Sequence, residues 1–306
     1  MELLGTELLD LHGELDSEAG DPARYHAVAI QWLDGGLDRL AGELREQIKA
    51  GAPLSETGVR RDGAPTGPPG SAWASMWVQR RGRRTGWVYS ADNWARFVQE
   101  LTDPPDRAEV LATVLDGQGF PSRSAVRLTV ERPDDAPEWL VLSADAPAED
   151  LLDTARGDEV QRRWLGLVRD VAEDLNPSFG QLADDTRGRT ALDVLLRRLR
   201  DQSVAESRTV LRGYSWVTIL AQELADRLGG VAALRATGAF HTVEPLRGGG
   251  VWLRATQRYQ DYGPVQIDAV FRALAPVLPQ GRPAPPPPFV PVTYRLVYED
   301  ASSVAR

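Results

Sequence analysis

The residue types that most often carry catalysis are scarce in this sequence of 306 residues. There is no cysteine, which excludes disulfides, thiolate nucleophiles, iron–sulfur clusters and cysteine-ligated zinc. His12 and His26 fall in an acidic segment predicted to be helical, where surface positions without a ligand partner are expected. His241 lies in a predicted strand, whose alternation turns it away from Glu244. No G-x-S-x-G motif is present to expose a serine nucleophile, so a Ser-His-Asp triad could only come from distant segments.

Carboxylate pairs and a glycine cluster are the other candidates for chemistry. Asp134-Asp135 and Asp184-Asp185 are adjacent pairs in turn-like segments, and neighbouring side chains point apart, whereas a metal ion or a glycosidase needs converging carboxylates. The glycines at 248–250 could cradle a phosphate, but they join two predicted strands and lack the Lys-Ser/Thr of a P-loop. We read them as a hairpin turn. The sequence therefore predicts no catalytic residue, no metal site and no cofactor, and it favours a non-enzyme while leaving that question open.

An arginine cluster is the strongest binding signal. Two extended, tryptophan-rich runs at residues 72–79 and 85–89 are joined by four arginines around Gly82, with no acid among them, which predicts a β-hairpin with a basic tip. Aromatic rings beside arginines can grip an acidic partner or stack on bases. The alternative is that the tryptophans form core and the arginines keep the tip soluble. The predicted partner-binding residues are Arg80, Arg81, Arg83, Arg84 and Trp87.

Composition narrows the class of protein. The net charge of −9 and the pI near 5.0 argue against a general nucleic-acid binder, which would usually be basic. The sequence has no apolar run of the roughly 18 residues that a membrane span needs. The first seven residues carry acids where a signal peptide carries basic residues, so we predict a cytoplasmic protein.

The predicted elements divide the chain into four parts. Residues 1–50 are predicted to be mostly helical, with an N-cap signal at Asp21-Pro22 and a possible break at Gly35-Gly36. Residues 51–72, rich in proline and glycine, read as a linker or long loop. A first α+β unit over 73–200 contains the hairpin, a helix at 92–101, strands at 125–131 and 139–144, and a helix from Asp158.

The second α+β unit is predicted over residues 201–306. Its signals are a strand at 209–212, a helix at 217–228 ending at Gly229-Gly230, hairpin strands at 240–244 and 251–256, a helix at 265–274, and a Pro-rich loop before a strand at 290–298. The order β-α-β-β-α-β is the ferredoxin-like, split βαβ arrangement. Residues 85–175 can be assigned in nearly the same order, which raises the alternative of a pseudo-duplicated α+β protein.

One stretch resembles a known family. The segments are Leu-Arg-Gly-Tyr-Ser-Trp-Val-Thr-Ile-Leu at 211–220, Leu-Gly-Gly at 228–230 and Gly-Gly-Gly-Val-Trp-Leu at 248–253. Over about residues 209–280 the chain resembles type VI and polymorphic-toxin immunity proteins. The resemblance implies a cytoplasmic antidote that occludes a cognate toxin and performs no reaction. It transfers no binding residue, because the matching positions are predicted helix ends and turns.

The leading interpretation is a non-catalytic cytoplasmic protein that recognises a protein partner through complementary charge and aromatic anchors. Two alternatives stay open. One is a small-molecule binder or enzyme with its site between the two α+β units. The other is a structural or assembly protein that uses the N-terminal helices and the Pro-rich tail.

Overall fold

The computed structural model describes residues 10–50, 65–134, 136–147, 156–184, 200–283 and 297–304. Contacts divide the chain into two compact units. One, here called the continuous unit, is residues 19–147; the other, the split unit, combines residues 1–18 with 148–306. The division predicted from the sequence, with boundaries near residues 50, 72 and 200, stays a prediction.

Strands and helices are both abundant, so the predicted α+β class is confirmed. The strands are β1 Asp10–Glu18, β2 Ala72–Arg80, β3 Arg83–Val88, β4 Arg107–Leu115, β5 Pro121–Glu131, β6 Trp139–Pro147, β7 Phe179–Asp184, β8 Val217–Leu220, β9 Thr242–Pro245 and β10 Val251–Arg254. The helices are α1 Pro22–Ala50, α2 Ala91–Glu100, α3 Gly157–Ala172, α4 Arg200–Glu206, α5 Gln222–Arg227, α6 Gly230–Ala236 and α7 Pro264–Leu274. Short 3-10 turns occur at Tyr259–Asp261, Ala275–Val277 and Ala301–Ser303.

The continuous unit is an antiparallel sheet with the strand order β3-β2-β4-β5-β6. The sequence analysis had assigned no element to β4, whose alanines and charges gave no clear alternation. Alternate positions such as Met76, Val110 and Leu128 are fully or almost fully buried and form the core. Helix α1 packs across β2, β4, β5 and β6, and the Trp32 indole N–H donates to the Ser143 carbonyl at 3.1 Å.

Helix α1 begins where predicted, because the Asp21 carboxylate accepts the Arg24 N–H at 2.9 Å as an N-cap. The break predicted at Gly35-Gly36 is not there. The helix kinks instead at Ala41, whose φ of −132° is non-helical. Gly36 serves close packing, since a Cβ built on it would lie 2.6 Å from the Leu128 Cδ2 atom of β5.

The split unit has the strand order β1-β7-β8-β10-β9, again antiparallel. Residues 10–18 were predicted to be helical, and this prediction is wrong. They form β1, in which Leu11 and Leu15 alternate with His12, Glu14 and Asp16, and all five side chains are fully buried. The period of two was hidden because both faces of the strand are buried and one of them is charged.

The predicted helix over 217–228 is also wrong in its first turn. Val217–Leu220 is the buried strand β8, hydrogen-bonded between β7 and β10, and the helix α5 starts only at Gln222. The β-branched residues favour the strand once neighbouring strands are available on both sides. Residues 209–212, predicted as a strand, form no regular element. The helix does end at Gly229, whose φ is +83°.

A complete ferredoxin-like unit is not confirmed. The split βαβ part is present, because helices α5 and α6 connect β8 to β9 along the chain, and β10 lies between these two strands in the sheet. The place beside β8 that a fourth strand would need is taken by β7. The predicted final strand lies largely outside the described residues, as does the Pro-rich loop. The two units also differ in strand order, so their topology gives no support to the predicted duplication.

Several locally signalled elements are confirmed. They are the β2–β3 hairpin, helix α2 with its Ser90 N-cap, strands β5 and β6, helix α3, the β9–β10 hairpin and helix α7. In each, the hydrophobic period, cap or turn that specifies the element lies within the element itself.

Gly35 and Gly36 provide a matched test of the α1–β5 packing. Gly36→Ala is expected to lower the free energy of unfolding by about 1–2 kcal/mol, because the added methyl overpacks fully buried Leu128 and outweighs the helix propensity of alanine. Gly35→Ala should raise it by up to about 1 kcal/mol, since no atom lies within 4 Å of its Cβ position. Denaturant midpoints would check both; equal shifts for the two variants would contradict the close approach at Gly36.

Candidate functional site

The predicted basic tip is a two-residue turn. Arg81 and Gly82 both have positive φ, 48° and 76°, as a type I′ hairpin turn requires, and Arg80 pairs with Arg83. Strand β3 ends the strand order of its unit and pairs with β2 alone among the described strands. Residues 83–86 are exposed. The hairpin therefore offers an open strand edge next to its arginines.

The four arginines do not share one role. Arg80 forms ion pairs with Glu100 at 2.7 Å and Asp103 at 3.5 Å, and it donates to the Asp103 carbonyl at 2.6 Å. It therefore braces the end of α2 against the hairpin. Arg81 and Arg83 form no side-chain ion pair with any described residue, and both are exposed.

Arg84 lies on an aromatic platform. Its guanidinium carbon is 3.6 Å from the centre of the Trp77 ring, and that of Arg107 is 5.4 Å from the same ring. The Trp77 indole N–H donates to Glu109 at 3.1 Å, and Arg107 pairs with Glu109 at 3.1 Å. The Trp77 ring is thus held by its hydrogen bond to Glu109 and has two arginines close to it. Stacking on this ring positions Arg84, which has no carboxylate partner among the described residues. We call Arg81, Arg83, Arg84 and the β3 edge the basic edge.

Trp87 lies apart from this platform. Strand alternation places it on the opposite face from Arg84, where its ring meets Phe97 of α2 edge-on at 6.4 Å between centroids. It is half-buried and packs as part of the interior between β3 and α2. Arg81, Arg83 and Arg84 are thus exposed neighbours along the tip and the β3 edge, with Arg83 and Arg84 on opposite faces of the strand, whereas Arg80 and Trp87 make packing contacts. The binding role of the five residues stays a prediction.

A second cluster of ionisable groups is fully buried. His12 was predicted on a helix surface, but it lies in β1 with no exposed area, 3.5 Å from Glu14. The Arg212 guanidinium forms ion pairs with Asp16 and, at 3.5 Å, with Glu14, and it lies 5.2 Å from the Phe179 ring centre. Burial lowers the pKa of Arg212, and the charge of Glu14 opposes this shift. With every member shielded from solvent, the cluster is suited to holding β1 in place.

The remaining histidines and the two aspartate pairs do not form a catalytic or metal site among the described residues. His26 is half-buried on α1, with Nε2 3.3 Å from the Val98 carbonyl, and His241 is exposed just before β9. Asp184 was predicted in a turn but is buried in β7, and Asp134 is exposed in a turn; their neighbours Asp135 and Asp185 lie outside the described residues. No three His, Cys, Asp or Glu side chains in the described ranges group as metal ligands.

The triple glycine is the hairpin turn that was predicted. The N–H groups of Gly248, Gly249 and Gly250 donate to Glu173, Leu246 and Gln222 respectively. A Cβ on Gly248 would lie 2.9 Å from the Asn176 nitrogen, so the turn docks on the end of α3. Because all three amides have acceptors within the protein, this turn offers no phosphate cradle.

Comparison with known proteins adds one finding about the fold. No protein-family model matches the chain, and no curated protein matches it. The architecture is that of an α+β protein built on antiparallel strands. A solved structure of this class described as the Pseudomonas aeruginosa T6SS protein PA0821 is similar, with a TM-score of 0.56 and 15% identity over 97% of this chain and 81% of that one. This likeness shows the fold alone. Within the described residues, no helix is long and apolar enough to cross a membrane.

Charge reversal should separate the structural arginine from the surface ones. Arg80→Glu is expected to lower the free energy of unfolding by about 1–3 kcal/mol, since it places a third acid beside Glu100 and Asp103. Reversing Arg83 and Arg84 together should lower it by no more than about 1 kcal/mol, because neither has a carboxylate partner among the described residues and only the stacking of Arg84 on Trp77 is lost. Urea denaturation of the three proteins measures this. A large loss in the Arg83/Arg84 variant would show that the basic edge is needed for folding.

The buried cluster gives a second stability prediction. Arg212→Met is expected to cost about 3–5 kcal/mol, because Asp16 and Glu14 would lose a cation inside the protein. Arg258→Met is the control: Arg258 pairs with Asp158, the two side chains are 57% and 59% exposed, and its loss should cost about 1 kcal/mol or less. Similar costs for both, measured by denaturant unfolding, would mean that Arg212 does not hold β1.

Proposed function

We propose that this chain is a non-catalytic protein-binding protein associated with type VI secretion, and that its partner docks on the basic edge. The observation that carries the proposal is the set of three exposed arginines whose side chains form no ion pair with a described residue, beside a strand that pairs on one side only among the described strands. Charged groups left without partners on a rigid hairpin are available for an acidic surface. The fold likeness to a type VI secretion protein supports the association.

Strands β9 and β3 each lie at one end of the strand order of their unit, and they differ in how their free edges are protected. At β9 the Arg235 guanidinium donates twice to the Val243 carbonyl, at 3.1 and 2.8 Å, and the strand ends in Pro245. Such features block the addition of another strand. At β3 the exposed run Arg83-Arg84-Thr85-Gly86 carries no proline. We infer that the partner adds an extended, acidic segment to β3, with backbone hydrogen bonds supplying affinity and the arginines supplying selectivity.

The resemblance in sequence refines the proposal to an immunity protein. In this interpretation the partner is a cognate toxin, and the chain occludes it in the cytoplasm without performing a reaction. The absence of cysteine suits a reducing compartment. A protein that acts by occlusion needs only to bind the toxin tightly and to cover it, and a charged hairpin edge can contribute to that binding.

The test begins with the untagged protein recovered from its native host and identification of a stoichiometric protein partner by mass spectrometry. Calorimetry then compares the wild type with the variant carrying Arg83→Glu and Arg84→Glu, which is expected to bind at least about tenfold more weakly. A control with the same change in charge, Arg162→Glu with Arg282→Glu, reverses exposed arginines elsewhere and should stay within about twofold. Equal affinities for wild type and the β3 variant would remove the basic edge from the interface.

The immunity role has its own readout. If the partner arrests growth when produced alone, wild-type protein produced with it should restore growth, and the Arg83/Arg84 variant should not. A partner without toxicity would leave protein binding in place and overturn the immunity role. Recovery of the protein with a tightly bound small molecule and without any protein partner would overturn protein binding itself.

A further inference from the structure

A pocket of about 320 Å³ lies within the split unit, between α3 and the β9–β10 hairpin. Its lining includes Leu165 and Arg169 of α3, Thr242 and Glu244 of β9, and Trp252 and Arg254 of β10. The volume is at the lower end of the range typical of small-molecule sites. Nothing in the sequence pattern marked these residues as a group.

The register of the hairpin creates the lining. Thr242 pairs with Arg254 and Glu244 pairs with Trp252, so these four side chains project from one face of adjacent strands. Trp252 is 4% exposed, and the Arg169 guanidinium lies 5.4 Å from its ring centre. The pocket therefore has an aromatic wall on a rigid strand pair, with polar groups beside it.

The two arginines of the pocket differ in their counter-ions. Arg169 is neutralised, with Glu173 at 2.5 Å and Glu244 at 2.7 Å. Arg254 is half-buried and forms no ion pair with the described residues; its polar contact is a long one, 3.4 Å, from Nη2 to the Thr242 hydroxyl. Its Nε atom is buried and has no acceptor among those residues.

A half-buried guanidinium without a counter-ion is unfavourable by itself. Burial lowers the pKa of Arg254, and the charge of Glu244 opposes this shift. A buried charge is normally paired, because desolvation costs several kcal/mol that only an opposite charge with good hydrogen bonds offsets. An anion that reached the Nε–H and the Nη groups would supply that pairing.

We propose that this pocket binds the carboxylate of a small aromatic or apolar organic acid. The carboxylate accepts from the Arg254 guanidinium and from the Thr242 hydroxyl, and the apolar part of the ligand contacts Leu165 and the part of Trp252 that lines the pocket. Glu244 and Asp170 also line the pocket, so its lining carries two basic and two acidic side chains, although no described acid lies within ion-pair distance of Arg254. This balance favours a monoanion over a phosphate dianion.

Benzoate is the probe, and benzamide is its neutral counterpart of the same shape. In protein labelled with nitrogen-15, benzoate is expected to shift the Arg254 Nε–H resonance saturably, with a dissociation constant of about 0.1–5 mM. Benzamide should bind at least about tenfold more weakly, because it carries no charge for the guanidinium. Inorganic phosphate at the same concentrations should compete weakly or not at all.

Two substitutions assign the binding to these residues. Arg254→Gln should abolish the benzoate-induced shifts of neighbouring backbone amides, and Thr242→Val should weaken binding about three- to tenfold. Arg258→Gln is the matched control, since Arg258 pairs with Asp158 on the surface and does not line the pocket. Backbone amide spectra verify that each variant is folded.

The benzoate assay tests the proposed pocket without any protein partner. No saturable shift up to about 20 mM benzoate, equal binding of benzamide, or unchanged binding in Arg254→Gln would each overturn the proposal. Because the assay uses the isolated chain and a small molecule, its result is independent of whether the basic edge binds a protein.

Discussion

The buried pairing of Arg212 with Asp16 and Glu14 is the interaction on which the split unit depends. It joins a strand at the start of the described chain to a segment almost 200 residues later. The β1–β7 ladder, from Leu11–Asp184 to Asp16–Phe179, fixes the register in which those charges meet. Since none of the three side chains is exposed, removal of Arg212 would leave the two carboxylates buried without this cation. Residues 19–147 are thereby enclosed in the sequence of the split unit and fold as a unit of their own.

The arginines of this protein have different roles, and the groups that surround each side chain determine its role. Arg45 is held by Asp34 and the Tyr89 hydroxyl, with Trp94 5.5 Å away, and it braces α1. Arg84 is exposed and stacks on the ring of the buried Trp77. Arg254 is half-buried in the pocket lining and forms no ion pair with the described residues. The same side chain thus serves packing, a surface charge and a pocket, according to whether an acid is placed within reach.

The elements that could be predicted from the sequence are those whose cap, turn or hydrophobic period lies within the element itself. The two-residue turn at Arg81-Gly82, the Ser90 cap of α2, the apolar stripe of α3 and the glycine turn of the β9–β10 hairpin each carry their information within a few residues. The two hairpins and the helices α2 and α3 were predicted correctly for that reason, whereas the Ser90 cap and the two-residue length of the first turn became apparent only in the structure. For the candidate site, the sequence located the arginines of the tip, but it could not separate Arg80, which pairs with Glu100 at the end of α2, from Arg83, which meets no acid in the described structure.

By itself the sequence determined the α+β class, the absence of cysteine chemistry, the helices and hairpins with their own caps and turns, and the basic tip. Only the tertiary structure decided that residues 10–18 and 217–220 are strands, because their partners, β7 and β10, lie about 165 and 30 residues away. It also decided that Trp87 faces α2 while Trp77 stacks with Arg84, and that Arg254 meets a pocket wall from α3. A strand is stabilised by its neighbours, whereas a capped helix or tight turn is stabilised within its own segment, and this difference separates the two sets.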